Sequence, residues 1–375
     1  MTTRIIQFGT SRFLQAHADL FIHEARAAGQ DIGPVTVVKT TRGTERSGRV
    51  SAFGAEAGYP VIIRGLVDKK IIDRTLIVKS IDGAMIADRD WSDLVKLFAF
   101  EAQVVISNVG DSGYAIPPED EIGAPRNDQV PLSFPAKLLC LLEARYRAGG
   151  KPMLILPCEL VPENGKVLRR ILADLAQKWK LDAAFNTWMA NQVTICDTLV
   201  DRIVSEAIEP VGAIAEPYAL WAIKSEASCE IPFSHPAVVV TDDLEPFMRL
   251  KLHILNLGHS FLAEIWQSEK RPPDETVREI LGDAEIRKRL TDLYSEEVIP
   301  GFAGYGMAEA AAAYVATTLE RFENPFLNHR LSDIAQNHRL KTDRRVADFM
   351  TWVSLRNPSA NLAKLRVWSL SNLKS

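Results

Sequence analysis

What most restricts the fold of this chain is an alternation in its first half. Short runs rich in β-branched residues are each followed by a stretch of helical period. "RIIQFG" (4–9) reads as a strand that ends in glycine. Residues 13–29 follow, with Phe13, Leu14, Ala16, Leu20, Phe21 and Ala25 sharing a broad helical face and Gly29 as the stop. "PVTVVKT" (34–40) is a second strand, and 58–81 reads as two or three strands with turns at Gly65 and at Asp68-Lys69. "DLVKLFAF" (93–100) is helical, "AQVVISNVG" (102–110) is a strand ending in a polar loop, and "KPMLILPCEL" (151–160) repeats that pattern after a helix over 134–148. Alternating elements of this kind predict an α/β fold: a parallel, doubly wound sheet of Rossmann type, covered by helices.

After residue 240 the character changes. Residues 244–267, "LEPFMRLKLHILNLGHSFLAEIWQ", predict one long helix, with Asp242 or Asp243 to cap it and Pro246 in its first turn. "TVREILGD", "DAEIRKRLTDLYSEEVIP", "AEAAAAYVATTLERF" and "HRLSDIAQNHRL" are also helical in period. The expected organisation is a nucleotide-binding domain with an extension over 1–240 and a mostly α-helical domain over 241–375, and 375 residues leave room for both.

Charge narrows the partners. The chain has 44 basic and 48 acidic residues, scattered without tails, for a net charge of -4. That gives no electrostatic case for nucleic acid or anionic lipid. No stretch approaches 18 uninterrupted apolar residues, so no membrane span is expected. "MTTRIIQFGT" runs straight into a strand-like segment and holds no signal-peptide hydrophobic region; the cytoplasm is expected from the free-thiol reading of the cysteines. Cys140, Cys158, Cys196 and Cys229 form neither a CxxC nor a Cys/His pair at zinc spacing, so no metal is expected and the thiols read as free.

Two stretches carry chemistry. A strand, then "GTSRF", then a helix is how a dinucleotide site begins, and Gly9, Ser11, Arg12 and Phe13 would line the pyrophosphate turn. Only Gly9 matches the glycines of GxGxxG, so an ordinary strand-to-helix turn reads the same way. Ser107 and Asn108 end the strand beside which a nicotinamide ribose would lie, and Asp111 follows in the loop. The second strand ends "VVKTTRG" without an acidic residue. Lys39 and Arg42 there suit a 2′-phosphate, hence NADP, or are solvated loop charges, so the choice between NAD and NADP stays open.

The other stretch is "KLHILNLGH" (251–259), a lysine, an asparagine and two histidines inside an apolar run. Burying such groups without partners is costly. On an α-helix Asn256 and His259 share a face, and Lys251 projects roughly 80° from His259. A lysine can carry a proton and an asparagine amide can donate to an oxygen, so the grouping suits acid–base work on a hydroxyl or carbonyl. Each residue alone has a plainer reading: a snorkelling lysine, a core histidine, an asparagine bonded to backbone. His253 points about 120° away and reads as structural.

Several motifs now stand in order along the chain: "RIIQFGTSRFLQAHAD", "YPVIIRGLVD", "ISNVGDSGY", "LPCELVPENG", "NQVTICDTLVDRI", "EPYALWAI", "KLHILNLGH" and "RFENPFLNHRLSDIA". The set resembles the long-chain polyol-specific dehydrogenases, the mannitol dehydrogenase family, and in particular its tagaturonate reductase (altronate oxidoreductase) branch. The resemblance implies metal-independent hydride transfer between a nicotinamide cofactor and an open-chain sugar acid or polyol. It implies Lys251 as general acid/base, Asn256 as donor to the reacting oxygen, His259 as a substrate ligand and Asp201 of "VDRI" as a polar substrate residue. Two positions depart from the family pattern. Leu160 stands where "CDN" has a second polarising asparagine, and in the phosphate loop Ser11 and Gln15 replace a glycine and an arginine. Arg321 of "RFENP" offers a fork for a substrate carboxylate or else closes a helix-end ion pair, and Lys341 and Arg345 are further cations of that kind. A sugar-alcohol or hexitol-phosphate dehydrogenase and a non-catalytic nucleotide- or sugar-binding protein are the rival readings. The oligomeric state is not legible.

Overall fold

The computed structural model describes residues 3–43, 47–110, 113–123, 129–226 and 230–372; Asp111 and Cys229 lie outside them. The strands in chain order are β1 (Arg4–Phe8), β2 (Val35–Lys39), β3 (Tyr59–Val67), β4 (Lys70–Val78), β5 (Ile81–Ile86), β6 (Ala102–Ser107), β7 (Met153–Pro157), β8 (Val193–Ile195), β9 (Thr198–Asp201), β10 (Val204–Ala207), β11 (Ala213–Ala215), β12 (Leu220–Lys224) and β13 (Val238–Thr241). The chain divides into two compact units: 1–62, 74–215 and 219–244 in the first; 63–73, 216–218 and 245–375 in the second.

The first unit is built on a six-stranded sheet in the order β5-β2-β1-β6-β7-β8, with every neighbouring pair parallel. The strands are short and β-branched because both faces are covered, as parallel sheets require. Ile6, Phe8, Val105 and Ile155 are fully buried there against Leu138 and Leu142 of the helix Phe134–Arg147. Each such side chain contributes about 1.5–3 kcal/mol of burial. That helix starts where Ser133 accepts from the Ala136 N–H and Pro135 occupies the first turn. β1 stands between β2 and β6, so the strand order reverses there; its last residue, Phe8, pairs with Val38 on one side and Ser107 on the other. A doubly wound sheet holds its ligands outside the carboxyl ends of strands at such a reversal. Two smaller sheets, β10-β11-β3-β4 and β13-β12-β9, hold the remaining strands.

Two expectations need correction. Residues 13–29 are not one helix: Arg12–Gln15 and Ala18–Ala27 are separated at Ala16 and His17, where His17 leaves helical geometry at φ -127° and ψ -98°. Gly65 is not a turn. It lies inside β3, where a Cβ would come within 2.6 Å of Pro217 Cδ and 2.8 Å of Asn324 Nδ2, so it serves close packing. The turn of the β3–β4 hairpin falls at Asp68 and Lys69, both at positive φ, as a tight two-residue connection demands.

The second unit is mostly helical, around a core that includes Ile254, Leu257, Tyr294, Phe302, Phe349 and Leu365. The stretch expected as one α-helix over 244–267 is helical throughout but changes pitch. It runs as the α-helix Glu245–Leu250, a π-helical turn Lys251–Asn256 and the α-helix Leu257–Ser268. Two more π turns, Tyr294–Val298 and Asp343–Ala347, interrupt later helices. Among the described residues no helix is long and apolar enough to cross a membrane.

Candidate functional site

In the first unit the candidate cofactor residues gather at the carboxyl ends of β1 and β6. Gly9 sits at φ +111°, and a Cβ there would lie 2.3 Å from the Asn108 carbonyl oxygen, so the position admits only glycine. Ser11 stands where the family pattern has a second glycine, and its hydroxyl both accepts and donates. It accepts from the Leu14 N–H (3.3 Å), capping the short helix, and donates to Asn108 Oδ1 (3.0 Å). Asn108 Nδ2 in turn donates to the Cys158 carbonyl (2.7 Å), tying together the ends of β1, β6 and β7. Gln15 replaces an arginine and works as a buried strut: Nε2 donates to Thr10 O (3.3 Å) and Oε1 accepts from Gly212 N (2.8 Å). Arg12 is exposed, and Phe13 stacks on the His17 ring at 4.6 Å. Burial lowers His17 to about 3, so its ring is neutral and Nε2 donates to Leu220 O.

Lys39 does not fill the role expected of it. It is buried, and Nζ donates to the carbonyls of Thr41 (2.9 Å) and Gly43 (2.8 Å), so its charge stabilises its own loop instead of waiting for a 2′-phosphate. The sequence also gave no sign of a buried carboxylate at the sheet's end. Glu159 accepts from Ser107 Oγ (3.0 Å), the Val109 N–H (3.2 Å) and the Tyr114 hydroxyl (3.1 Å), and burial raises its proton affinity. Its neighbour Leu160 is 67% exposed and turns outward. Asp201 closes β9 in register with Leu220 and is buried. Arg202 beside it donates to Ala16 O (2.6 Å), at the break between the first two helices. Asp201 belongs to the first unit, whereas the three predicted catalytic residues belong to the second.

In the second unit Lys251 and Asn256 open and close the first π turn, and His259 follows one turn later. A π turn closes i→i+5 bonds, and here the Leu257 N–H donates to Leu252 O. On an α-helix residues five apart sit about 140° apart around the axis. The wider turn brings Lys251 and Asn256 closer to one line. Both are half-buried. The Asn256 side-chain amide makes no hydrogen bond among the described residues, which leaves it open to a ligand. His259 is buried between the rings of Phe322 (4.4 Å) and His329 (4.7 Å). Burial, with nearby His329, Arg345, Arg321 and Lys341, holds it well below its usual value, so it is a neutral donor and acceptor.

Two cations stand by. Arg345 donates through Nη1 to Asn256 O (3.0 Å) and Ser260 Oγ (2.7 Å), and burial lowers it to about 10. Lys341 donates to Ile334 O (2.9 Å) and is lowered by burial and by Arg345. Neither is paired with a carboxylate among the described residues. His329, which sequence reasoning missed, completes the cluster. His253 makes only internal bonds: burial lowers it to about 4, Nδ1 donates to Arg345 O (3.2 Å) and Nε2 accepts from Arg249 (3.2 Å).

Arg321 is not open to a substrate carboxylate and takes the plainer of its two readings, an internal ion pair. Nε and Nη2 reach the two oxygens of Glu216 at 3.0 and 2.8 Å, and the Tyr218 ring lies over the guanidinium at 4.3 Å. Both partners are 3% exposed or less, so the fork is filled by an internal carboxylate. The adjacent cleft of about 270 Å³ is lined by Asp68, Glu216 and Glu320, the wrong sign for an acidic ligand.

Known proteins resemble this chain over most of its length. The family model described as the mannitol dehydrogenase Rossmann domain matches residues 3–232, and that of the mannitol dehydrogenase C-terminal domain matches 243–362. The altronate oxidoreductase of Halalkalibacterium halodurans is 31% identical over 358 residues, covering 89% of this chain and 67% of the relative. That of Bacillus subtilis is 28% identical over 357 residues, covering 89% and 72%. Among solved structures, a substrate-free D-sorbitol dehydrogenase superposes with a TM-score of 0.82 at 19% identity, over 100% of this chain and 81% of the other. The Pseudomonas fluorescens mannitol 2-dehydrogenase, in ternary complex with NAD and D-mannitol, gives 0.73 at 18% identity, over 100% and 80%. These two show a shared fold. With both family models matched across nearly its whole length, the chain belongs to the mannitol dehydrogenase family of oxidoreductases.

Proposed function

We propose that this chain interconverts a secondary alcohol and a ketone on an open-chain sugar acid of the altronate–tagaturonate kind, using NAD. One observation carries the reading: Lys251 and Asn256 bound one π turn, His259 follows in the next helical turn, and Lys341 and Arg345 stand by as two cations without carboxylate partners among the described residues. A neutral polyol gives no reason to gather them, whereas a sugar acid supplies the missing anion.

The coenzyme supplies a nicotinamide ring that takes or gives the hydride. Gly9 and the turn after β1 would hold its pyrophosphate, and Ser107 and Asn108 would border its ribose; a glycine without room for a Cβ at a strand-order reversal fits such a group. The rest is the work of this chain's side chains. In oxidation Lys251 Nζ takes the hydroxyl proton as the hydride leaves the carbon. In reduction it returns that proton to the oxygen. Asn256 Nδ2 donates to the same oxygen and stabilises its developing charge. His259, neutral, hydrogen-bonds a neighbouring hydroxyl. Lys341 and Arg345 hold the carboxylate and fix which carbon faces the lysine.

Lys251→Ala is expected to lower kcat by roughly 10³-fold or more, while NADH binding, followed by its fluorescence, stays unchanged. Turnover close to that of the parent would remove the lysine from the mechanism. Because the same two cations suit a phosphate, a hexitol phosphate is the second reading. A panel of tagaturonate, fructuronate, fructose, mannitol and mannitol-1-phosphate with NAD and NADP separates the two.

A further inference from the structure

A π turn does not persist by itself. It spreads the backbone by one residue, and carbonyls near its crossing lose their usual partners. In the turn Lys251–Asn256 two carbonyls are served from outside. The buried Tyr294 hydroxyl donates to Ile254 O at 2.9 Å, and Arg345 Nη1 donates to Asn256 O at 3.0 Å. Both donors belong to the other two π turns, Tyr294–Val298 and Asp343–Ala347, and the first turn packs against each of these. The tie to the third is mutual, since His253 of the first turn donates to Arg345 O.

The fit around Tyr294 is close. A Cβ on Gly258 would lie 1.9 Å from the Tyr294 hydroxyl oxygen and 3.1 Å from Phe322 Cε2. Glycine at 258 is therefore what lets the phenol reach the Ile254 carbonyl. Burial pushes the phenol's proton affinity up, so it stays a donor throughout the working pH range.

We propose that Tyr294 is a positioning residue: with Gly258 making room for it, its hydroxyl holds the turn Lys251–Asn256 in the wide register that keeps the lysine and the asparagine on one substrate oxygen. Relaxation to α geometry would rotate Lys251 away from Asn256 while leaving the helix and its apolar contacts in place. The inference rests on Lys251 as the acid–base group.

The test compares Tyr294→Phe, Gly258→Ala, the double variant and Lys251→Ala as full-length proteins. Tyr294→Phe is expected to keep its KM for NAD and its melting temperature within a few degrees, to lose kcat roughly 10–100-fold, and to shift the limb of the pH–rate profile set by the acid–base group. Hydrogen exchange of the amides over 251–257 should accelerate. Gly258→Ala should harm the parent far more than it harms Tyr294→Phe, because removing the hydroxyl relieves the contact; the two changes are then non-additive. An unchanged kcat and pH profile in Tyr294→Phe, or additive effects, overturn the proposal even where Lys251→Ala is inactive. An active Lys251→Ala overturns both the proposal and the reading beneath it.

Discussion

Asp19, away from the residues assigned to the reaction in sequence, gives the fold a pH dependence. It is fully buried; one oxygen accepts from the Tyr59 hydroxyl at 2.7 Å and the other has no partner among the described residues. Burial raises its carboxyl from 3.8 to about 7. The folded state therefore holds a proton that the unfolded chain releases near pH 4. The stability linked to that proton is fully present below 3.8 and is lost as pH rises through about 7. Asp19→Asn, which keeps an acceptor for Tyr59, is expected to exceed the parent in stability at pH 8 by about 1–3 kcal/mol, with the gap closing towards pH 5. Urea titrations at both pH values check this, and a gap independent of pH would show that Asp19 does not titrate in this range. Lys341→Met tests specificity: kcat/KM for the sugar acid is expected to fall roughly 10–100-fold, with that for the matching neutral polyol nearly unchanged. An equal loss on both substrates would mean that the ammonium does not read the carboxylate. Residues of this scale are legible only where their partners are local. Lys251, Asn256 and His259 stood out because their spacing is written within nine positions. Arg321 did not show its partner, because Glu216 lies 105 residues away. Lys39 looked like a loop charge, although its end folds back onto two carbonyls of that loop.

The elements of the first unit were legible because one physical cause shapes both sequence and structure. Strands covered on both faces must be short and mostly apolar, and β1, β2, β6 and β7 are all of that kind. Helix pitch leaves no such mark. Residues 244–267 keep their apolar face through the change of pitch, because Ile254, Leu257 and Leu262 stay buried on either side of it. Sequence periodicity therefore shows one helix where there are three segments. What selects the π register comes from elsewhere in the chain: the Tyr294 hydroxyl and the Arg345 guanidinium. The break at His17 has the same origin, since Arg202 donates to the Ala16 carbonyl from 186 residues away. The hidden turn is also the one that carries the lysine, so element geometry at this site is set by tertiary contacts.

For the whole molecule, a single cut near residue 240 follows the change in composition, but the second unit is not one continuous stretch. It takes in 63–73 and 216–218, which lie among strands of the first half. Hydrogen bonds hold them there. Glu216 fills the Arg321 fork, Asn324 Nδ2 donates to Arg64 O at 3.1 Å, and the Lys69 N–H donates to Glu320 at 2.7 Å. All three acceptors or donors on the helical side lie within 320–324, at the end of the helix Ala308–Phe322 and just after it. The same helix end carries Phe322, whose ring lies against His259. A fragment of residues 241–375 would lose every one of these partners. Its Arg321 would be a buried charge without a carboxylate, at a cost of about 3–5 kcal/mol. A domain of that size has only about 5–15 kcal/mol in hand. The fragment is therefore expected to be helical by far-ultraviolet circular dichroism yet to lack a cooperative melt and a near-ultraviolet signal. Arg321→Met within the fragment should recover part of that loss, since it removes the stranded charge. A sharp melt within a few degrees of the full chain would mean that the two upstream segments decorate the helical unit without stabilising it, and that the change in composition near residue 240 marks its true edge.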